Sequence, residues 1–544
     1  MLDFLHRHNY KLTRHITSNL LMVTLVFGMS VFTFGYEAST LNTIQAMTPF
    51  EERFGDFLPE KKAFGFTSNK LAYMNSFPLL VYAVGVIVGA QIGERWGRRL
   101  VFLLTNIVCV AGTIIVFTAK TYDQLLAGRM IVNFHVGMEA FLIPMFQAEI
   151  APAAVRGSLT AIYGVNGVFA AFIASIITDL TSKIPNDNCW KIPVGIGLIF
   201  PAVSLFFWVL IPESPRWLLR KGQYAKAVEN MDYLYGAMPN FDAEKEAKFL
   251  QEALDTSETT GKWKDLVKGT NLRRTSNGLI ASAMAQLSGS SFSNLYGTIF
   301  LKSLKVIDPF MATMVKKALL LVTAITFMFI IDKAGRRRLF LYMGFMQTAV
   351  LMVMGGLGTI AHPTVDINKG IVALTMMYPI FHFVSFGGPL QLTKTEIPHI
   401  TLRDKSVMLF WLTANLCNFI STFTLPYLLQ EPANLGSRVG LIYGSISAVG
   451  LVWGWFFMPE MSKKSLEEID EMFAAGVPAW KSRHWRGEHT AKITDMENNG
   501  VIADSESERN SIAKNDPAHL TPETTPETTP EKTPEKTPEK PSKV

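Results

Sequence analysis

Four places in this 544-residue chain set ionisable side chains inside long apolar runs. Glu37 ends Phe34-Gly35-Tyr36-Glu37, and Arg129 opens a later run in which Glu139 lies further along. Lys316 and Lys317 stand side by side in the second half. A charge at bilayer depth is costly and marks an ion or substrate path by default. A carboxylate there can take a proton while burial disfavours its charge, and give it up when a cation or water comes near. Glu37 and Glu139 are the carboxylates that could do so. His135 and Glu139 are four apart and share a helix face. Such a pair can relay protons, and it can equally be a plain polar contact between helices. Lys317 lies roughly 22 Å along a helix axis from Asp332, at a depth where lysine reaches the surface on its long stem.

The elements that must position these groups are membrane helices. Hydrophobic residues make up 49% of the chain and charged residues 18%, against roughly 25% charged in ordinary soluble proteins. Lys plus Arg is 51 and Asp plus Glu is 45, so the net charge of +6 is too mild for a nucleic-acid binder. Cys109, Cys189 and Cys417 offer neither a disulfide framework nor metal-ligand spacing. A bilayer crossing takes about 20 apolar residues as helix. Such runs fall near 20–43, 72–92, 100–118, 124–147, 159–179 and 193–211, then near 278–301, 309–331, 337–358, 371–393, 406–428 and 438–458. The expected fold is an all-α membrane protein of twelve transmembrane helices in two pseudo-symmetric six-helix bundles.

The first run is too long for a cleavable signal and follows Arg7, His8, Lys11 and Arg14, so it reads as an uncleaved span. The basic loops Glu94–Arg99 and Asp332–Arg338 place their side in the cytoplasm, and both termini with it. These loops are also an internal repeat. Each runs acid, base, then Gly-Arg-Arg, after the second span of its half, as in carriers built from repeated halves. The expected layout is a cytoplasmic N-terminus (1–19), a first six-helix bundle (20–211), a cytoplasmic helical linker (212–277), a second bundle (278–458) and a cytoplasmic tail (459–544). Within the linker, Tyr224–Tyr235 and Ala243–Asp255 read as amphipathic helices. The tail ends in Thr-Pro-Glu units from Thr521 to Lys540, a composition that cannot bury enough surface to fold.

Six segments, taken in order, resemble the signatures of the sugar porter family of the major facilitator superfamily. Glu94–Arg99 resembles "D-R-x-G-R-R" with Glu94 for Asp, and Asp332–Arg337 resembles its second copy. Pro144–Gly157 is similar to "P-x-Y-x-x-E-x-x-P-x-x-x-R-G", with Phe146 for Tyr. Pro212–Leu218 matches the signature after span 6; Glu396–Arg403 and Pro459–Glu468 match the two later ones, the last loosely. Arg156–Asn166, Asn415–Asn418 and Glu468–Pro478 resemble one fungal branch, the α-glucoside (maltose-type) proton symporters. The resemblance implies a carrier, not an enzyme, working by alternating access. It implies proton coupling through Glu37, where the family's symporters carry Asp, with Arg129 as partner. The interleaved acids and bases of the loops suit bidentate pairing. Glu94, Arg98, Glu149, Arg156 and Glu213 in the first half, and Arg336, Glu396, Arg403 and Glu460 in the second, are expected to lock the cytoplasmic ends and favour the outward-facing state.

The family's span 7 motif, "Q-Q-x-S/T-G-x-N-x-x-x-Y-Y", is partly kept in Ala285–Tyr296. Ala285 replaces the first Gln, Ser291 the Asn and Leu295 the first Tyr. Gly164 and Gln391 stand where a span 5 Gln and a span 10 Trp are usual. Each missing buried hydrogen bond to a sugar hydroxyl costs about 1 kcal/mol or more. A rebuilt site would draw on Tyr163, Asn166, Gln286, Ser290, Ser291, Asn294, Tyr296, Gln391, Asn415 and Asn418, with room made by Gly164, Ala285 and Ser291. The expected substrate is a sugar or sugar-like solute, an α-glucoside or oligosaccharide ahead of a hexose, moved by proton symport. A carrier of a specialised metabolite and a non-transporting nutrient receptor are the alternatives. The expected partners are that small molecule, a proton and the lipid bilayer, with no nucleic acid, cofactor or metal. A monomer in the plasma membrane is expected.

Overall fold

The computed structural model describes residues 17–485, apart from 60–61, 152–155, 239–240, 256–260, 463 and 465, together with 487. The Thr521–Lys540 repeats lie outside the described residues, as do the side chains of Arg156 and Tyr163.

Among the described residues, 11 helices are long and apolar enough to cross a membrane. In the first half, spans 1 to 5 are Ser18–Thr43, Ser68–Trp96, Arg98–Phe117, Tyr122–Ile150 and Arg156–Ser182, and span 6 joins Asn188–Gly197 to Ile199–Phe207. In the second half, span 8 is Pro309–Ala334, span 9 Arg336–Leu357, span 11 Arg403–Leu429 and span 12 Val439–Phe457. Span 10 runs as Val365–His382, a π-helical turn Phe383–Gly387, then Gly388–Glu396. Span 7 escapes the length criterion because it is cut into Gly269–Leu287, Ser290–Asn294 and Gly297–Leu304. With it the crossings number twelve, in two sets of six.

Local chemistry explains where spans begin. Thr17, Thr67, Thr121 and Thr364 precede spans 1, 2, 4 and 10, and each hydroxyl accepts the N–H three residues on. That satisfies a donor the helix leaves orphaned. Gly97 and Gly335, at φ +100° and +90°, make the sharp turns from span 2 to 3 and from span 8 to 9, a backbone region that suits glycine.

In the first half span 4 packs on spans 2 and 3, and span 1 on span 5; in the second, span 9 packs on span 12 and span 7 on span 11. The halves meet along span 2 against span 11 and span 5 against span 8. Outward faces carry Leu25, Val84, Phe206, Val322, Phe329 and Val452 in exposed positions, as suits a surface bathed in acyl chains. Between spans 1 and 2 a short hairpin pairs Asp56–Leu58 with Ala63–Gly65. The linker folds as Pro215–Arg220, Tyr224–Tyr235 and Ala243–Asp255. It is tied to the first half: Thr17 donates to the Leu234 carbonyl, Asn19 Nδ2 to the Tyr233 carbonyl at 2.8 Å, and Tyr235 OH to the Ile150 carbonyl at 2.6 Å. A last helix, Leu466–Ala474, lies under the second half through the pair Arg274–Asp470.

Candidate functional site

Glu37 is 5% exposed, inside span 1. Its Oε1 accepts from Thr113 Oγ1 at 2.6 Å and from Cys109 Sγ at 3.4 Å, both on span 3. Among the described residues its Oε2 has no hydrogen-bond partner. Span 4 brings His135 against the same place: a carboxylate oxygen of Glu37, the Cys109 sulfur and a ring nitrogen of His135 lie within 4.8 Å of one another. A small cavity of about 10 Å³ beside Glu37 is walled by Tyr36, Thr40, Thr113, Val132 and Pro193, room for about one water. The thiol and hydroxyl donors are what a carboxylate needs in order to be tolerated at this depth.

Arg129 does not pair with Glu37. Its Nη2 donates to Asn75 Oδ1 at 3.0 Å and its Nη1 to the Leu41 carbonyl at 3.3 Å. Asn75 and Gln45 trade two amide hydrogen bonds, at 3.0 and 3.1 Å, and so hold the acceptor in place. In this conformation the expected partnership is replaced by separate partners: Thr113 and Cys109 for Glu37, Asn75 and the Leu41 carbonyl for Arg129. Thr113, Cys109, Asn75 and Gln45 carry no motif, and sequence reasoning missed them.

Span 7 breaks at Gly289, which adopts the left-handed conformation at φ +102°. The freed Ser288 carbonyl is taken up by Tyr378 OH at 3.0 Å and Gln347 Nε2 at 3.2 Å. Ser385 Oγ in turn donates to Gln347 Oε1 at 2.9 Å. His382 Nδ1 lies 3.2 Å from Tyr378 OH. Lys316 is buried and spends its ammonium on the Ser293 carbonyl at 2.8 Å, so it stitches the broken span rather than meeting solvent. Lys317, beside it, is half-buried.

Tyr163 apart, the nine other candidate substrate groups divide. Asn166 Nδ2 donates to the Gly28 carbonyl at 2.6 Å and Asn415 Nδ2 to the Leu79 carbonyl at 3.2 Å. Ser291 Oγ donates to Asn418 Oδ1 at 3.2 Å. Tyr296 is 1% exposed, and its OH reaches the Leu71 carbonyl at 3.4 Å and the Thr422 carbonyl at 3.2 Å. These side chains are spent on protein partners here. Gln286 and Ser290 are half-buried, Asn294 and Gln391 are exposed, and Asn294 Nδ2 reaches only Ser290 Oγ, at 3.4 Å.

At the arginine-rich ends the acids and bases form two matching sets, one per half. Arg98 forks onto Glu149, with Nε–Oε2 at 3.0 Å and Nη2–Oε1 at 2.7 Å. Glu213 accepts the backbone N–H of Arg98 at 2.8 Å and of Arg99 at 3.2 Å. In the second half Arg336 Nη2 meets Glu396 Oε1 at 3.0 Å. Glu460 accepts the N–H of Arg336 at 2.9 Å and of Arg337 at 3.1 Å. These contacts run inside a half, joining spans 3 and 4 or spans 9 and 10, and not across the halves as the expected lock would. Glu94 and Arg403 are exposed and enter neither set; the backbone N–H groups after Gly97 and Gly335 take their place. Burial holds the Glu213 carboxyl above the usual range, against the opposing pull of its N–H donors.

Contacts across the halves gather at the opposite, outer end. Besides Tyr296, Tyr427 OH donates to Asn69 Oδ1 at 2.8 Å and Ser68 Oγ to the Glu431 carbonyl at 2.6 Å, while the Asn415–Leu79 contact crosses the halves at mid-span. Lys302 Nζ meets Glu51 Oε2 at 2.6 Å and the Ala46 carbonyl at 2.8 Å. The halves are drawn together at their outer ends.

A profile of the family described as "Sugar (and other) transporter" matches residues 22–473. The chain belongs to that family: it is a multi-pass membrane carrier of the major facilitator type and not an enzyme. It is 27% identical over 484 residues to the probable glucose transporter rco-3 of Neurospora crassa, covering 86% of this chain and 81% of that one. It is 24% identical over 481 residues to the high-affinity glucose transporter ght2 of Schizosaccharomyces pombe, covering 86% and 90%. The inward-open xylose transporter XylE of E. coli overlays with a TM-score of 0.66 at 19% identity, covering 83% of this chain and 99% of that one. That last likeness shows the fold.

Proposed function

We propose that this chain moves a sugar across the plasma membrane together with a proton, as a monomer, by rocking its two halves about a central site. The observation that carries the coupling is Glu37: a buried carboxyl with one oxygen bonded by Thr113 and Cys109 and the other, among the described residues, without a hydrogen-bond partner. Such a group has a use for a proton. Outer ties beside separate inner sets support alternating access, because the two ends differ in which half they bind to.

The relatives' names favour a hexose. An α-glucoside or other oligosaccharide is a second reading, favoured by space. A Cβ built at Gly164 meets nothing within 4 Å, and small Ala285 and Ser291 stand where the family resemblance implies amides. The test is radiolabelled uptake by a transporter-null host, scanned over mono-, di- and trisaccharides at two pH values. Acid-stimulated accumulation of one size class is expected. Accumulation indifferent to pH overturns symport, and no uptake of any sugar leaves a carrier of a specialised metabolite or a nutrient receptor.

A further inference from the structure

We propose that Glu37, His135 and Glu139 form a proton relay that leads the coupled proton from the outer third of the first half toward the cytoplasmic side. This rests on the symport reading and adds the route and the releasing group. The three lie in a descending order. Glu37 is roughly 9 Å of helix axis below the outer end of span 1 at Thr43, and Glu139 is roughly 25 Å below the outer end of span 4 at Tyr122, with His135 one turn above it.

The hydrogen bonds set the ring for the task. Thr105 Oγ1 gives its one hydrogen to the carbonyl of His135, at 3.1 Å. With that hydrogen on the carbonyl, the same oxygen, 2.9 Å from Nδ1, accepts, and in this arrangement Nδ1 carries the ring's hydrogen. Nε2 is left with a lone pair, 3.3 Å from Glu139 Oε2, and neither atom has a hydrogen-bond donor among the described residues. A lone pair set against a carboxylate in a dry site repels it unless one of the two holds a proton. The pair therefore accommodates one proton and can keep it on either nitrogen or oxygen. Glu139 is 2% exposed and His135 fully buried, so that proton is not water's to supply directly.

Glu37 is placed to supply it. Its O–H bond breaks and an Nε2–H bond forms, leaving a carboxylate and an imidazolium. A carboxylate oxygen of Glu37 and a ring nitrogen of His135 lie within 4.8 Å, and one bridging water closes such a gap and can carry the proton on to Nε2. The imidazolium then passes the proton from Nε2 to Glu139 Oε2, the neutral ring returns, and Glu139 releases it to water when the cytoplasmic side opens. The other titratable side chains facing the trio are Tyr36 beside Glu37, Cys109 from span 3 and Tyr82 from span 2. Arg129 stands further out, held by Asn75 and Leu41.

The test uses purified full-length protein in liposomes with an acid-outside gradient, and radiolabelled D-glucose and maltose as probes. The reading is the ratio of uphill accumulation to equilibrium exchange. Glu139→Gln and His135→Gln should each lower it at least about tenfold, the scale of a lost proton-transfer group, and Glu139→Asp should restore it with a shifted pH profile. If both variants keep the parent ratio while Glu37→Gln loses it, the relay is wrong and symport stands. If Glu37→Gln also keeps it, or the parent accumulates neither sugar, the symport reading falls and the relay with it. Should Glu139→Gln lose exchange as well, His135→Gln and Glu139→Asp decide by the same ratio.

Discussion

Arg98 is 1% exposed, and its guanidinium is spent on Glu149, the Gly93 carbonyl at 2.6 Å and Met145 Sδ at 3.5 Å. A buried fork of this kind is worth most when one partner is removed, because the other charge is left uncompensated. Glu149→Gln should therefore cost about 3–5 kcal/mol of stability, read as a fall in the thermal unfolding midpoint of purified protein. Glu213 behaves differently. Its folded pKa is raised by burial, so the folded state holds the proton more tightly than the unfolded state does. Its contribution is then greatest below the ordinary carboxylate range and is lost as pH rises through its own higher pKa. Melting measured across that window should fall with pH more steeply in the parent than in Glu213→Gln; parallel slopes would remove Glu213 as the cause. At this scale the sequence showed which residues are unusual. It did not show what they touch. Glu37 was visible as an acid in an apolar run, but Thr113 and Cys109 are ordinary span 3 residues until the fold sets them under it. Asn166 and Asn415 look like sugar ligands by type, yet each donates to a neighbouring helix carbonyl.

The spans themselves were legible, since runs long enough to cross a bilayer have few other uses. The residues near 278–301 looked continuous because serine and glycine are tolerated in membrane helices. The break is decided by Gly289 at φ +102°, which composition does not disclose, and by the side chains that collect its freed carbonyl. The π-helical turn Phe383–Gly387 was invisible for the same reason. A Cβ at Gly289 would lie 3.1 Å from Tyr378 OH in a backbone region that costs roughly 1–2 kcal/mol for an L-residue. Gly289→Ala should destabilise the protein by about that much. Gly356→Ala is the contrast: its Cβ meets nothing within 4 Å in span 9, so it should be neutral or gain about 0.5–1 kcal/mol. Thermal unfolding of the two variants side by side checks both signs.

For the molecule as a whole, the two-half plan followed from the repeated Gly-Arg-Arg loops, while the conformation did not. Which end is closed depends on contacts between residues hundreds of positions apart, such as Tyr296 with Leu71. Tyr296→Phe removes a hydroxyl that bridges two carbonyls from opposite halves. At about 1 kcal/mol for such a bond, the outward-open share should rise about fivefold. A membrane-impermeant maleimide reacting with a cysteine at exposed Asn294 reports it; unchanged labelling would mean that the other outer ties suffice.

Glu213 and Glu460 each grip the first two N–H groups of a helix in their own half, with matching distances. In the proposed cycle the halves rock as rigid bodies and carry such rivets along unaltered, so their bond energy is the same before and after every stroke and drops out of the differences that drive it. A fault in either rivet should thin the population of assembled molecules and leave the pace of each survivor untouched. The cell would meet it as a matter of quality control.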